Sequence, residues 1–276
     1  MPELPDVETF RVMAQRDFLD ASVSRVVVAD PKSLEGATEA TLRRRLKGRR
    51  LNGTGRRGKY LFLDFGDDTV IVMHFGPAGS LRRIPAGQEE PTYVRLRLDF
   101  SNGDGLAYLN PRRIGRVRLV ESIASFIERA KLGPDAMDPE FAYSDFATRL
   151  AGRSQAIKAL LTDQSKISGI GNTWSDEILF QARIHPAIPA RALNADRCRV
   201  LFRSIRDVFR TAIDLDPTAA DFDARCPANF LLPHRHPGGH CPRCGTELNR
   251  DVVGGHTSTY CPRCQPREDP ASAPHR

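Results

Sequence analysis

Residues 241–264 read CPRCGTELNRDVVGGHTSTYCPRC, two Cys-Pro-Arg-Cys turns separated by sixteen residues. The spacing matches the four-thiolate zinc template, with Cys241 and Cys244 from one turn and Cys261 and Cys264 from the other. Each turn aims two sulfurs at one tetrahedral ion, and the stretch between them is long enough for a hairpin. The alternative is a redox CxxC pair, but two such pairs at this separation fit a single metal better. A closed four-sulfur site leaves zinc no open position. One structural Zn2+ per chain is therefore expected, with no catalytic duty. Cys198 and Cys226 stand apart and read as packing residues or ordinary thiols.

Outward from this module the chain is helical, and before that it is strand-rich. Segments 146–150, 156–161, 175–182 and 192–213 carry helical patterning, with Pro186 and Pro189 separating the last two. In the first 120 residues, Val94, Leu96, Leu98 and Phe100 alternate with Arg95, Arg97 and Asp99, the period of a half-buried strand. The turn cluster 101–105 and the run LAYLN complete a hairpin. Segments 60–65 and 69–73 form a second pair across Gly66-Asp67-Asp68. Asp6 is placed to cap a helix over Val7, Phe10 and Met13. The reading is an α+β, multidomain chain. It comprises an N-terminal two-layer β-sandwich with flanking helices (1–130), a linker (131–140), a helical domain (141–235), a zinc-finger hairpin (236–266) and a disordered tail (267–276).

Composition narrows the class further. The 276 residues are 27% charged and 40% hydrophobic, with mean hydropathy −0.39. No apolar run approaches the ~20 residues of a membrane span. MPELPDVETF has no basic segment followed by an apolar one, so no secretory signal is expected and the protein is read as cytoplasmic. Basic residues exceed acidic ones, 41 to 34, for a net charge of +7 and a pI near 9.3. Such a balance is a footprint for a polyanion such as nucleic acid, although genomic composition alone also enriches arginine.

Three segments carry chemistry. A small residue after Met1 favours its removal, leaving Pro2 as a free secondary amine. Such an amine can form an iminium with an aldehyde-like carbon, and α-amino groups titrate near 8, well below lysine. Glu3 is placed beside it as an acid. In RRGKYLFLDF, Lys59 sits between a basic turn and a strand, as a phosphate ligand, a catalytic cation or a merely solvated turn lysine. Gly169-Ile170-Gly171-Asn172 opens a helix, offering backbone N–H groups and an amide to a phosphate. A tight turn with Asn172 as N-cap is the plainer reading.

Together and in this order the pieces resemble the formamidopyrimidine-DNA glycosylase/endonuclease VIII family. MPELPDVE resembles its catalytic N-terminus, and GRRGKYLFLDF resembles its catalytic-lysine loop. DQSKISGIGNTWSDEILFQARIHP resembles its helix-two-turn-helix motif, and CPRC…TYCPRCQ its zinc finger. The resemblance runs from residue 1 to about 265. It implies a bifunctional DNA glycosylase and AP lyase that works on damaged double-stranded DNA as a monomer. Pro2, Glu3 and Lys59 are implied to be catalytic. Asp6, His74, Pro77, Arg112, Ile114, Lys158, Asn172 and His256 are implied to contact DNA.

The sequence departs from the family's oxidised-purine branch at several of these positions. Pro77 stands where that branch has Met, and Ile114 where it has Phe after the paired arginines. His256 stands for the finger's phosphate-binding Arg, and Asp6 for a Glu. Segment 221–239 is short and lacks the Gly- and Thr-rich stretch that caps a damaged purine. Lesion choice is therefore expected to differ, with the core chemistry kept. A non-catalytic damaged-DNA binder of the same fold would be marked by loss of Pro2, Glu3 or Lys59, and all three are present. A zinc-ribbon binder unrelated to repair leaves the N-terminal motif unexplained.

Overall fold

The computed structural model describes residues 1–267, so the expected tail lies outside the described residues apart from Arg267. The chain divides into two compact units, the first Met1–Lys131 and the second beginning at Leu132. In chain order the first unit holds α1 (Leu4–Phe18), β1 (Val23–Val28), β2 (Leu34–Glu35), α2 (Glu39–Leu46), β3 (Gly53–Arg57) and β4 (Tyr60–Asp64). It continues through β5 (Val70–His74), β6 (Ser80–Ile84), β7 (Val94–Phe100), β8 (Gly105–Leu109), β9 (Arg116–Val120) and α3 (Ile123–Arg129).

Alternation makes the two layers. β7 buries every second residue, as its sequence dictates, and pairs with β1 and β8 in a four-stranded sheet of order β1-β7-β8-β6. The second sheet runs β2-β9-β5-β4-β3. One core fills the space between them, with Leu96, Leu98 and Tyr108 from one sheet and Leu61, Leu63, Ile71 and Met73 from the other. α1 adds Val7, Phe10, Ala14 and Phe18, spaced for one helical face, and Phe10 meets Phe75 with ring centroids 4.7 Å apart. α3 covers the outer face through Phe126 on Phe62 and Tyr60. The cap of α1 differs from expectation. Glu3 is the N-cap, and Asp6 is the third helical residue, whose Oδ2 accepts from Glu3 N at 2.9 Å. Glu3 and Asp6 form a reciprocal capping box, each side chain taking the other's backbone N–H, and Pro5 falls in the first turn where its missing N–H costs nothing.

The second unit holds α4 (Tyr143–Leu150), α5 (Ile157–Thr162), α6 (Asn172–Gln181), α7 (Ala195–Asp214), α8 (Phe222–Arg225), β10 (Asn249–Val253) and β11 (His256–Tyr260). The segment read as a linker folds onto this unit. Ala136 N donates to Ser168 O at 3.1 Å, Ser168 N to Pro134 O at 2.8 Å, and Asp135 and Ala136 are buried. The cysteine module packs on α6, with Phe180, Leu231, Cys241, Leu248 and Cys261 in one buried cluster. β10 and β11 form its hairpin, turning at Gly254-Gly255 with φ of +60° and +80°. A Cβ on Gly254 would lie 2.5 Å from Ala159 Cβ, so the turn needs glycine for both conformation and proximity to α5.

One carboxylate ties these elements together. Asp176 Oδ1 accepts from Lys158 Nζ at 2.5 Å and from Ser258 Oγ at 2.8 Å. Its Oδ2 accepts from both Arg235 nitrogens Nε and Nη2, at 3.0 and 2.8 Å, and from Thr259 N at 3.0 Å. The side chains of Lys158 and Asp176 are both 0% exposed. This corrects the DNA-contact role expected of Lys158. Its ammonium is enclosed, and it also donates to Thr257 O at 3.2 Å, so its work is to join α5 to β11.

Asp176→Ala leaves two cations without their carboxylate and should destabilise the second unit by ~3–5 kcal/mol. Trp174, the only tryptophan, is buried in that unit and reports its denaturant unfolding by fluorescence. A loss below ~1 kcal/mol would show that the network is not a structural tie.

Candidate active site and nucleic-acid interface

Helix α1 begins at the chain's amino terminus, so the Pro2-Glu3 dipeptide stands on the end of a helix fixed in the sandwich core. Glu3 is 1% exposed and Pro2 half-buried. Lys59 comes from the two-residue turn between β3 and β4, where Arg57 faces Tyr60 and Gly58 takes a φ of +57°. The solvated reading of Lys59 fails, because the residue is 7% exposed. Burial holds its ammonium below the usual range, and the carboxylates of Glu3 and Asp6 oppose that shift. Lys59 and Glu3 are thus both buried titratable groups in the first unit. Burial pushes Asp6 up to about 6 despite the hydrogen bond from Glu3 N.

The strand register extends the site. Tyr60 faces His74 across β4 and β5, and His74 faces Arg116 across β5 and β9. The turns that follow His74 and precede Arg116 therefore emerge at the same sheet end as Lys59. Burial, then the charges of Lys59 and Arg118, push His74 down to about 4, so its ring is neutral at pH 7. Pro77 lies half-buried on the first turn. Arg112 and Ile114 lie exposed on the second, Ile114 at 57%.

A buried network missed in the sequence shapes both turns. Tyr108 Oη donates to His74 O at 2.9 Å, and Asn110 Nδ2 reaches Phe75 O at 2.9 Å and Tyr108 Oη at 3.0 Å. A Cβ on Gly115 would lie 2.0 Å from Tyr108 Oη and 2.7 Å from His74 O, so the two turns pack back to back only with glycine there. Arg113 completes the arrangement with a φ of +57° and its Nε 3.4 Å from Asp30 Oδ2. The one signal in the sequence was the LAYLN run itself, where a polar Asn ends a strand whose residues are all buried.

In the second unit Gly171, not Asn172, is the N-cap of α6, and Asn172 is its first residue. Gln164 staples the preceding loop, accepting from Gly169 N at 2.9 Å and donating to Ile170 O at 2.8 Å. Asn172 is half-buried, and its Oδ1 is buried with no hydrogen-bond partner. That oxygen is an acceptor, so a phosphate at this helix N-terminus would take the Nδ2 donor of the same amide and the backbone N–H groups instead. His256 is exposed as the first residue of β11, opposite Val253 beside the hairpin turn. Segment 221–239 is folded, with Phe222 edge-on to Trp174 and Leu231 fully buried.

The four cysteines converge as their spacing requires, with ligand atoms within 4.8 Å of one another. Sγ separations are 3.8 Å for Cys241–Cys264 and 3.5 Å for both Cys244–Cys261 and Cys244–Cys264. Zinc with four ~2.3 Å bonds at tetrahedral angles sets its sulfurs about 3.8 Å apart. A disulfide needs about 2.05 Å. The donor set fits one structural zinc with every coordination position filled by protein.

Comparison with known proteins agrees along the whole chain. Residues 1–117 match the formamidopyrimidine-DNA glycosylase N-terminal domain, 132–223 its H2TH domain, and 238–267 the zinc finger found in FPG and IleRS. A formamidopyrimidine-DNA glycosylase of Acidothermus cellulolyticus is 33% identical, covering 96% of this chain and 98% of its own length. One from Heliobacterium modesticaldum is 34% identical, with 96% and 100% covered. The structure of Lactococcus lactis Fpg bound to DNA containing FAPY-dG superposes with a TM-score of 0.85 at 26% identity, covering 96% of this chain and all of that one. A complex of the same protein with abasic-site DNA matches equally well. With its catalytic N-terminus, helical DNA-binding motif and zinc finger all matched in order, the chain belongs to the formamidopyrimidine-DNA glycosylase family.

Proposed function

We propose that the protein is a base-excision-repair DNA glycosylase with AP lyase activity, acting on oxidised or ring-opened bases and abasic sites in double-stranded DNA. One observation carries the reading. The chain's amino terminus stands at the head of α1 beside the buried Glu3, and Lys59 is buried on the β3–β4 turn, at the sheet end from which the turns after His74 and before Arg116 emerge. The Lactococcus lactis complexes with abasic and FAPY-dG DNA support the substrate class. The same reading makes the enzyme a cytoplasmic monomer.

The chemistry follows from these groups. With Met1 removed, the Pro2 nitrogen is a secondary amine, whose unprotonated form is the nucleophile. Its lone pair attacks the sugar C1′ of a nucleotide extruded from the stack, the base leaves with the bonding electrons, and the proton shed by the amine nitrogen neutralises the departing base. Glu3 protonates the ring oxygen as the sugar opens, and the nitrogen lone pair closes to an iminium. Loss of a C2′ proton expels the 3′ phosphate, and a second elimination expels the 5′ phosphate. Lys59 holds the backbone of the extruded nucleotide. Pro77 and Ile114 fill the vacated stack, and Arg112 faces the orphaned base. Neutral His74, Asn172 and His256 serve backbone phosphates. The zinc keeps the β10–β11 hairpin folded.

Borohydride reduction should trap the protein on abasic DNA through Pro2. An added N-terminal residue that places Pro2 in a peptide bond should abolish that adduct, and Glu3→Gln should bind lesion DNA yet scarcely cut it. Undiminished trapping with Pro2 blocked would overturn the assignment.

Pure folded protein should carry one zinc per chain. Removing it should unfold the finger, leave the first unit's melting unchanged and weaken DNA binding. Metal analysis well below one per chain, or binding indifferent to chelation, contradicts this.

Lesion choice tests the altered wedge. Pro77 and Ile114 offer less stacking surface than Met and Phe, and segment 221–239 is packed against α6. Base–aromatic stacking is worth ~1–3 kcal/mol, so its absence costs roughly 10- to 100-fold on a well-stacked lesion. Single-turnover cleavage should favour abasic sites and oxidised or ring-opened pyrimidine-type lesions over 8-oxoguanine opposite cytosine. A clear preference for the latter would refute the argument.

A further inference from the structure

Glu8 and Arg56 are outside every role given so far, yet they join the two elements that carry the chemistry. Glu8 lies on α1, five residues after Glu3, about 7.5 Å along the helix. Arg56 lies on β3, three residues before Lys59. Arg56 Nε donates to Glu8 Oε2 at 2.9 Å, and its Nη1 donates to Gly58 O at 3.2 Å. The guanidinium therefore grips the helix with one edge and the lysine turn with the other. Both side chains are largely buried, at 9% and 17% exposure. Arg11 fixes the other Glu8 oxygen through Nε and Nη2, at 2.9 and 2.7 Å, so the carboxylate cannot swing away. Those arginines hold Glu8 below the usual carboxylate range even though burial opposes them, so the grip is charged at neutral pH.

We infer that the Glu8–Arg56 pair is a clamp that sets the position of Lys59 relative to the Pro2 amine and Glu3. It is a positioning device that touches no substrate. The need for one is geometric. Gly58 takes a left-handed φ in a two-residue turn, and nothing in the turn's own sequence dictates how deep the lysine sits. Arginine is required because only a planar fork reaches a carboxylate and a carbonyl at once. Lysine would keep the charge and lose one of the two contacts.

The inference rests on the glycosylase reading for its activity arm, and its structural arm is independent. Glu8→Gln and Arg56→Lys should each lower the melting of the first unit yet leave it folded at the assay temperature and bind a tetrahydrofuran abasic-site duplex within about twofold of the parent, while single-turnover cleavage falls roughly 10- to 100-fold, as expected for a reacting group displaced by ~1 Å. Combined, the two changes should cost no more than one alone. On a Lys59→Ala background neither should cost a further twofold, because the residue they position is gone. Without DNA, Lys59 should be acylated by an amine-reactive probe severalfold faster in either variant than in the parent, as read by mass spectrometry. Unchanged labelling of Lys59 in both variants, or losses that multiply with Lys59→Ala, would overturn the clamp. A parent protein that protects Lys59 in the predicted way yet cuts no lesion would instead overturn the glycosylase reading and leave the clamp standing.

Discussion

An ammonium group taken out of water costs several kcal/mol unless carboxylates and hydrogen bonds replace its hydration. Both units of this protein are organised around that constraint. In the second, Lys158 is 0% exposed and the Asp176 carboxylate is shared among it, Arg235, Ser258 and Thr259. The partners come from three separate stretches of chain, so satisfying one charge fixes α5, α6, the 235 turn and β11 together. In the first unit Lys59 is nearly as enclosed, but the charges that oppose its burial shift are those of Glu3 and Asp6 at the head of a helix. There the offsetting charges belong to groups that can act. Two buried lysines thus serve opposite ends, one closing a scaffold and one poised in a site.

The wedge shows the same economy of placement. Pro77, Arg112 and Ile114 come from two turns, the first following His74 at the end of β5, that share one hydrogen-bonded base, Tyr108 and Asn110. Glycine at 115 lets those turns touch. Side chains at the tips can therefore change without disturbing the base that aims them.

Much of this was legible in the residues. The period-two run 94–100, the helical spacing in α1 and α7, and the two CPRC turns each state their local structure, because periodicity and ligand spacing are properties of neighbouring residues. The N-terminal motif named Pro2 and Glu3 for the same reason. Asp6 was misread as the cap by the width of one turn, since capping residues are recognised by type and the register is fixed by the reciprocal capping box of Glu3 and Asp6.

By itself, then, the sequence determined the order of modules and the zinc ligands, and it singled out Pro2 and Glu3 as the dipeptide proposed to be catalytic, all from contacts close in the chain. Tertiary structure alone decided which lysine is enclosed by structural partners and which faces the site. It also decided that residues 132–138 fold onto the second unit and that the 75–79 and 110–115 turns share a base. Only it brought Arg56 to Glu8, 48 positions away. Burial and charge pairing depend on groups far apart in the chain, and no local pattern encodes their meeting.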